Sequence, residues 1–123
     1  MHTMSNKKLG SSFEKKFARI LSKHGFWARL DKGYSQTCDI IAGKDNIIYL
    51  FECKTCSKDY FDLNRVEDNQ TMSRALFKKC GNSEAWFVFY VSMKDEIYLS
   101  KKTIKKPSRG VRLSTWLQQL EEK

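Results

Sequence analysis

The stretch that most restricts the fold is residues 85–91, AWFVFYV, in which seven consecutive side chains are apolar or aromatic. A half-buried strand alternates apolar and polar residues, so a run with no polar member fits a central strand covered on both faces. Such a strand needs a sheet around it and further structure packed on that sheet. The run is far short of the roughly 20 residues that a membrane-crossing helix requires. Its aromatics, Trp86, Phe87, Phe89 and Tyr90, therefore read as core and not as a stacking platform.

The flanking sequence supplies the rest of that sheet. Phe13, Phe17, Ile20 and Leu21 recur at helical spacing, with Ser11 as a cap and Gly25 as a stop. Residues 26–30 (FWARL) alternate as a strand does, and a polar loop, 31–36, follows. Residues 37–42 (TCDIIA) and 47–54 (IIYLFECK) form a hairpin across Gly43, Lys44, Asp45 and Asn46. Asn64 and Glu67 form a capping box for a second helix that runs to about Cys80 and stops at Gly81, with Val66, Leu76 and Phe77 on its apolar face. Residues 96–100 (EIYLS) pair with the buried run across Lys94 and Asp95, and Ser114 caps a last helix carrying Trp116, Leu117 and Leu120. The order α, β, β, β, α, β, β, α predicts an α/β domain with a mixed sheet flanked by helices. One domain from residue 11 to 123, after a disordered tail over 1–10, accounts for the length.

Charge narrows the partner. Lys and Arg number 23 against 14 Asp and Glu, a net charge of +9, which is the footprint of a protein that meets a polyanion, nucleic acid first. Residues 101–112 concentrate it: Lys101, Lys102, Lys105, Lys106, Arg109 and Arg112 stand there without an acid. A solvated charge run or a patch for anionic lipid is the plain alternative. No signal-type apolar segment opens the chain, so a cytoplasmic, reducing compartment without membrane attachment is expected. Cys53 and Cys56 then form a lone CxxC, which lacks the second pair of a zinc ribbon and the helix start of a redox motif, so small buried hydrophobes are the default. His2 and His24 are the only histidines, which argues against Ser/His and Cys/His hydrolases.

The chemistry concentrates in FECK, residues 51–54. Alternation puts Glu52 and Lys54 on one face and Phe51 and Cys53 on the other, so an apolar strand ends in an acid beside a base. Asp39 interrupts the neighbouring apolar strand, where a buried carboxylate is costly without compensation. Carboxylates on adjacent strands offer Mg²⁺ the hard oxygen ligands it prefers. Each residue also has a plainer reading: Glu52 and Lys54 as an ion pair, Asp39 as a loop cap. Glu14 lies in SSFE, a capping box, and Gln70 lies on the buried face of the second helix, where its amide needs partners. Arg29 faces away from Phe26, Ala28 and Leu30; it can meet phosphate, though solvation is the commoner state.

Asp39 followed by Glu52-x-Lys54, after a helix bearing Glu14 and before a helix and a buried strand, resembles the PD-(D/E)xK nuclease superfamily. Within it the chain is most similar to Holliday junction resolvases of the RecU type and their archaeal Hjc-like relatives. SSFE, GFWARL, SQTCDII, FECK and the pair Asn69 and Gln70 carry the likeness. It departs at Cys38, where the superfamily name has proline, and the segment from Lys101 onward has no counterpart. The resemblance implies a restriction-endonuclease-like fold with an αβββαβ core and a homodimer acting on four-way DNA junctions. It implies Mg²⁺, with Mn²⁺ able to substitute, and products ending in 5′-phosphate and 3′-hydroxyl. It makes Asp39, Glu52 and the Cys53 carbonyl metal ligands and Lys54 the catalytic lysine. Glu14 then reaches the metal through water, and Gln70 supports Lys54 or a phosphate. Ser35 and Thr37 donate hydroxyls to the scissile phosphate, while the basic residues hold the DNA backbone. The small size suits a phage or compact microbial gene product. Alternatives are a nuclease of this fold acting on duplex or flapped DNA, and a binding protein of the same fold without catalysis.

Overall fold

The computed structural model describes residues 6–31, 39–65 and 68–122, without the side chains of 6–11, 68–71 and 73. Six strands form one sheet in sequential order: β1 (Trp27–Leu30), β2 (Ile40–Lys44), β3 (Ile47–Cys56), β4 (Ser83–Val91), β5 (Glu96–Ser100) and β6 (Val111–Arg112). All neighbours are antiparallel except β3 and β4, the two longest, which run parallel from Ile48↔Ser83 to Cys56↔Val91. A parallel pair needs a crossover, and α2 (Asp68–Phe77) lies in it. Helices α1 (Asn6–Lys23) and α3 (Leu113–Glu121) complete the fold. This is the expected mixed sheet flanked by helices, with the run 85–91 at its centre.

Several boundaries differ from expectation for physical reasons. α1 begins at Asn6, so residues 6–10 belong to a helix and Ser11 to Glu14 lie inside it, not at its cap. Lys7, Lys8 and Leu9 are good helix formers, and one interior glycine, Gly10, costs only about 1 kcal/mol. The β2–β3 hairpin turns on Asp45 and Asn46 alone, at φ 51° and 68°, the two-residue geometry that matches strand twist, so Gly43 and Lys44 stay in β2. β2 runs from Ile40, with Asp39 just outside it; Thr37 and Cys38, expected to open the strand, lie with the rest of 32–38 outside the described residues. Asn64 sits in a 3-10 turn, Leu63–Arg65, where the Asp62 carboxylate accepts its N–H at 3.0 Å; Val66 and its expected capping partner Glu67 lie outside the described residues, and α2 is described from Asp68. Leu76 is exposed, whereas Phe77 packs against the cluster of Leu50 and Ala85. Ser114 does not cap α3, because β6 runs straight into the helix at Leu113.

The basic segment is folded, which its composition hid. Pro107 is buried in a short 3-10 turn, Asp59 accepts hydrogen bonds from the Ser108 N–H and hydroxyl, and β6 then pairs with β5. A side chain at Gly110 would bring Cβ within 2.6 Å of the Leu99 carbonyl oxygen, so only glycine allows this close approach.

Alternation along the strands separates two faces. On one, Phe13, Phe17 and Leu21 of α1 and Trp116 and Leu117 of α3 cover Ile40, Tyr49, Phe51, Val88 and Leu99. Trp116 lies 5.8 to 6.0 Å from the rings of Phe26, Tyr49, Phe51 and Trp86, a set of edge and stacked contacts that fixes α3 on the sheet. The other face carries smaller apolar clusters, Leu50 with Ala85 and Cys56 with Phe61, Phe87 and Phe89. Between them lie the charged residues Glu52, Lys54 and Arg74.

Candidate active site

The β2–β3 register continues from Ile40↔Phe51 to bring Asp39 beside Glu52. The backbone holds Asp39 on both sides: its N–H donates to the Phe51 carbonyl at 3.1 Å, and its carbonyl accepts the Asp31 N–H at 2.9 Å. Its side chain is aimed as well, because Oδ2 accepts the Cys53 N–H at 2.7 Å. That bond ties the carboxylate to the strand bearing Glu52 and Lys54.

Glu52 is wholly buried, at 0% exposure, and neither of its carboxylate oxygens makes a hydrogen bond of good geometry among the described residues. Lys54 Nζ approaches Oε2 at 3.4 Å. Burial pushes the Glu52 carboxyl above its ordinary value; the charges of Lys54 and Arg74 pull it back, and Asp39 adds to the rise. An acid held this way without a full set of hydrogen bonds is costly unless another positive charge joins it. The donor chemistry fits a divalent cation: two carboxylates on one face, about what Mg²⁺ takes from a protein while keeping waters and phosphate oxygens as its other ligands. No third His, Cys, Asp or Glu completes such a group among the described residues.

Glu14 is half-buried on α1, in its third turn and past any capping position, so the capping reading of this residue falls away. Residue 70 lies on α2, and its side chain is outside those described. Ser35 and Thr37 also lie outside the described residues. Arg29 is exposed on the edge strand β1, paired with Ile41 and therefore on the face of Glu52, with its guanidinium 5.8 Å from the Trp27 ring. Lys101 and Lys102 follow β5 and are exposed, whereas Arg112 reaches Glu96 at 3.3 Å. Cys53 and Cys56 face opposite sides of β3, one packed with the α1 core and the other with Phe61 and Phe89, so they do not form a joint metal or redox pair. Burial pushes the Cys56 thiol up, against the pull of Arg65, which keeps it protonated.

Arg74 is the residue that sequence reasoning missed. It is 5% exposed on α2, lies 3.9 Å over the Phe87 ring, and donates to the Trp86 carbonyl at 3.4 Å. Its charge acts on Glu52. The signal was its spacing, four residues after Gln70 and three before Phe77, on the face already assigned to the interior.

Residues 5–122 match the family described as archaeal Holliday junction resolvase (hjc). The crossover junction endodeoxyribonuclease Hjc of Methanocaldococcus jannaschii is 41% identical over 64 residues, 52% of this chain and 47% of that protein. The matched region thus spans about half the length of that curated relative. Among solved structures, Hjc of Archaeoglobus fulgidus, a Holliday junction resolvase from an archaeal hyperthermophile, superposes with a TM-score of 0.68 over 89% of this chain and 96% of that one. At 17% identity, that likeness speaks for the fold.

Proposed function

The chain belongs to the archaeal Holliday junction resolvase family, matched over residues 5–122, and from that premise we propose that it is a metal-dependent endonuclease that hydrolyses phosphodiesters at four-way DNA junctions. The observation that carries this reading is the pairing of Asp39 with a fully buried Glu52 that, among the described residues, has Lys54 at 3.4 Å and no hydrogen bond of good geometry.

Asp39 and Glu52 would hold Mg²⁺, with the Cys53 carbonyl as a further ligand and Mn²⁺ able to substitute. When bound, the ion supplies Lewis-acid stabilisation of the phosphoryl charge and lowers the pKa of a coordinated water. The chain's own part is positioning. The Cys53 N–H holds Asp39 in one orientation, and β3 carries Glu52 and Lys54 on one face at fixed spacing. Lys54 orients the attacking water and neutralises a phosphoryl oxygen. Arg74 offsets the negative charge of Glu52 from below. Glu14 acts from α1 through water, Gln70 supports Lys54 or the phosphate, and the hydroxyls of Ser35 and Thr37 meet the scissile group. Arg29 and the first residues after β5, Lys101 and Lys102, contact the backbone, which makes binding steeply dependent on salt.

A homodimer suits the substrate, since two-fold symmetry presents two equal sites to symmetry-related strands. Exposed Trp27 and Ile48 on the site's own sheet face, with Met72 and Leu76 on α2, offer a second copy an apolar surface. No helix among the described residues is long and apolar enough to cross a membrane, and the reading places the protein with DNA in the cytoplasm.

The test is cleavage of a synthetic four-way junction and of the matching linear duplex, with and without Mg²⁺, by wild type and Glu52→Gln. Junction-selective, Mg²⁺-dependent cutting that is lost in the variant supports the proposal. Equal rates on both substrates would remove the junction preference, and no cutting with any divalent ion would remove the nuclease.

A further inference from the structure

Beyond the acids and Lys54, the site face opens into a groove of about 700 Å³ lined by Arg74, Lys78, Lys79, Phe87, Lys101 and Lys102. No acidic residue lines it among those described. Its position is set by the strands: Phe87, on its floor, is the β4 register partner of Glu52 and also pairs with Ser100, the residue before Lys101. The groove therefore starts one strand away from the buried acid and runs over β4 toward the end of β5. Arg74 joins the two, since it lines the groove and its charge is felt by Glu52.

Two stretches distant in sequence, the end of α2 and the residues after β5, bring four exposed lysines to the rim of one cleft, of which Lys101 holds its Nζ 5.2 Å from the Trp86 ring. Like charges brought together this way repel unless an anion lies between them. The other cations of the basic segment differ. Lys106 acts on Asp59, and Arg112 reaches Glu96 at 3.3 Å, so both face acids of the chain itself. The Lys105 carbonyl accepts the Phe61 N–H at 2.7 Å, which fixes that backbone in the fold.

We propose that this groove is the track for the DNA phosphate backbone leaving the cleavage site, with Lys78 and Lys79 on one wall and Lys101 and Lys102 on the other. The inference rests on the nuclease reading for its ligand and divides the basic residues into a groove set and a structural set. Lys78 and Lys79 had no assigned role, and their alternative use is to offset the C-terminal dipole of α2. A dipole role predicts a change in stability, whereas a phosphate role predicts a change in salt dependence.

The experiment measures binding of a fluorescent four-way junction and a matching duplex by anisotropy in Ca²⁺ across a salt series, separately from cutting. Lys78→Gln/Lys79→Gln and Lys101→Gln/Lys102→Gln are compared with Lys106→Gln/Arg112→Gln, whose cations face Asp59 and Glu96. Each lysine on a phosphate contributes a slope of about 1 in log K against log salt, so each groove double is expected to flatten the slope by about 2 on both DNAs. The control double is expected to leave it unchanged. Unchanged slopes in the groove doubles, or an equal loss in the control, would overturn the proposal. Failure of wild type to cut in Mg²⁺ would strike the nuclease reading while the binding slopes still judged the groove.

Discussion

The two faces of the sheet are made by alternate residues of the same strands, yet one is filled with rings and the other is interrupted by charge. Under α1 and α3, Phe17, Tyr49, Phe51 and Trp116 interlock, and nearly every residue there is buried and apolar. Under α2 the same strands present Asp39, Glu52 and Lys54, with Arg74 from the helix. A single residue step along β3 separates Phe51 from Glu52, and with it a contribution to folding from a cost to folding. The stability of the packed face carries the strain of the other, a division common where a site must hold charge away from water.

The largest expected effect breaks the packed face. Phe51 is fully buried and contacts Phe17, Tyr49 and Trp116, so Phe51→Ala is expected to cost about 3–5 kcal/mol by chemical denaturation. A loss under 1 kcal/mol would mean that the rings do not carry the fold. On the other face, Asp39→Asn keeps shape and the Cys53 contact but removes the charge. Junction cutting is expected to fall by about 10²–10³-fold, while DNA binding is kept or strengthened. Cutting at the wild-type rate would take Asp39 out of the site.

Glu52→Gln sharpens the comparison because its two effects have opposite signs. The folded protein holds the Glu52 proton more tightly than the unfolded chain does, since burial raises its pKa above the ordinary 4.5. Its contribution to stability is thus full below that value and is lost as pH rises through the folded-state pKa. At neutral pH without divalent ions the amide variant is expected to be the more stable by the order of 1 kcal/mol, the usual size of such a trade against function. Thermal melts should show the gap widening from pH 4 to pH 7 on the order of the linkage argument. Mg²⁺ should raise the midpoint of wild type and leave the variant where it is. A variant less stable than wild type at pH 7 would show that Glu52 is a structural partner for Lys54 and Arg74.

The legible part of the molecule was what periodicity reports. The central run, the helix bearing Phe13 and Phe17, and the one-face placement of Glu52 and Lys54 follow from spacings of two and of three to four residues, which need no tertiary partner to be read. Asp39 was legible as a charge in an apolar strand, and the family likeness followed from its distance to Glu52. What local pattern could not show was decided by contacts distant in sequence. The Asp59 carboxylate ties down Ser108, 49 residues away, and so fixes the basic segment as a 3-10 turn leading into β6. Arg74 stands at the spacing of a buried face, but only the sheet, through Phe87 and Glu52, makes the burial of its charge tolerable. The start of α1 was lost for another reason: Ser11 and Glu14 imitate a cap, and nothing local says that the helix has already begun.

The smallest effect separates the two kinds of basic residue. Arg112 sits on the edge strand β6, with its guanidinium 3.3 Å from the Glu96 carboxylate, both partly exposed. Exposed pairs of this kind contribute about 0–1 kcal/mol, because solvent screens the attraction and both side chains lose freedom. Arg112→Gln is thus expected to shift stability by less than about 1 kcal/mol. Since the charge is already answered within the chain, it should also leave the salt slope of DNA binding unaltered. A slope flattened by about 1 would place Arg112 on a phosphate, with Glu96 released on binding, and would extend the DNA track past the groove to the sheet edge.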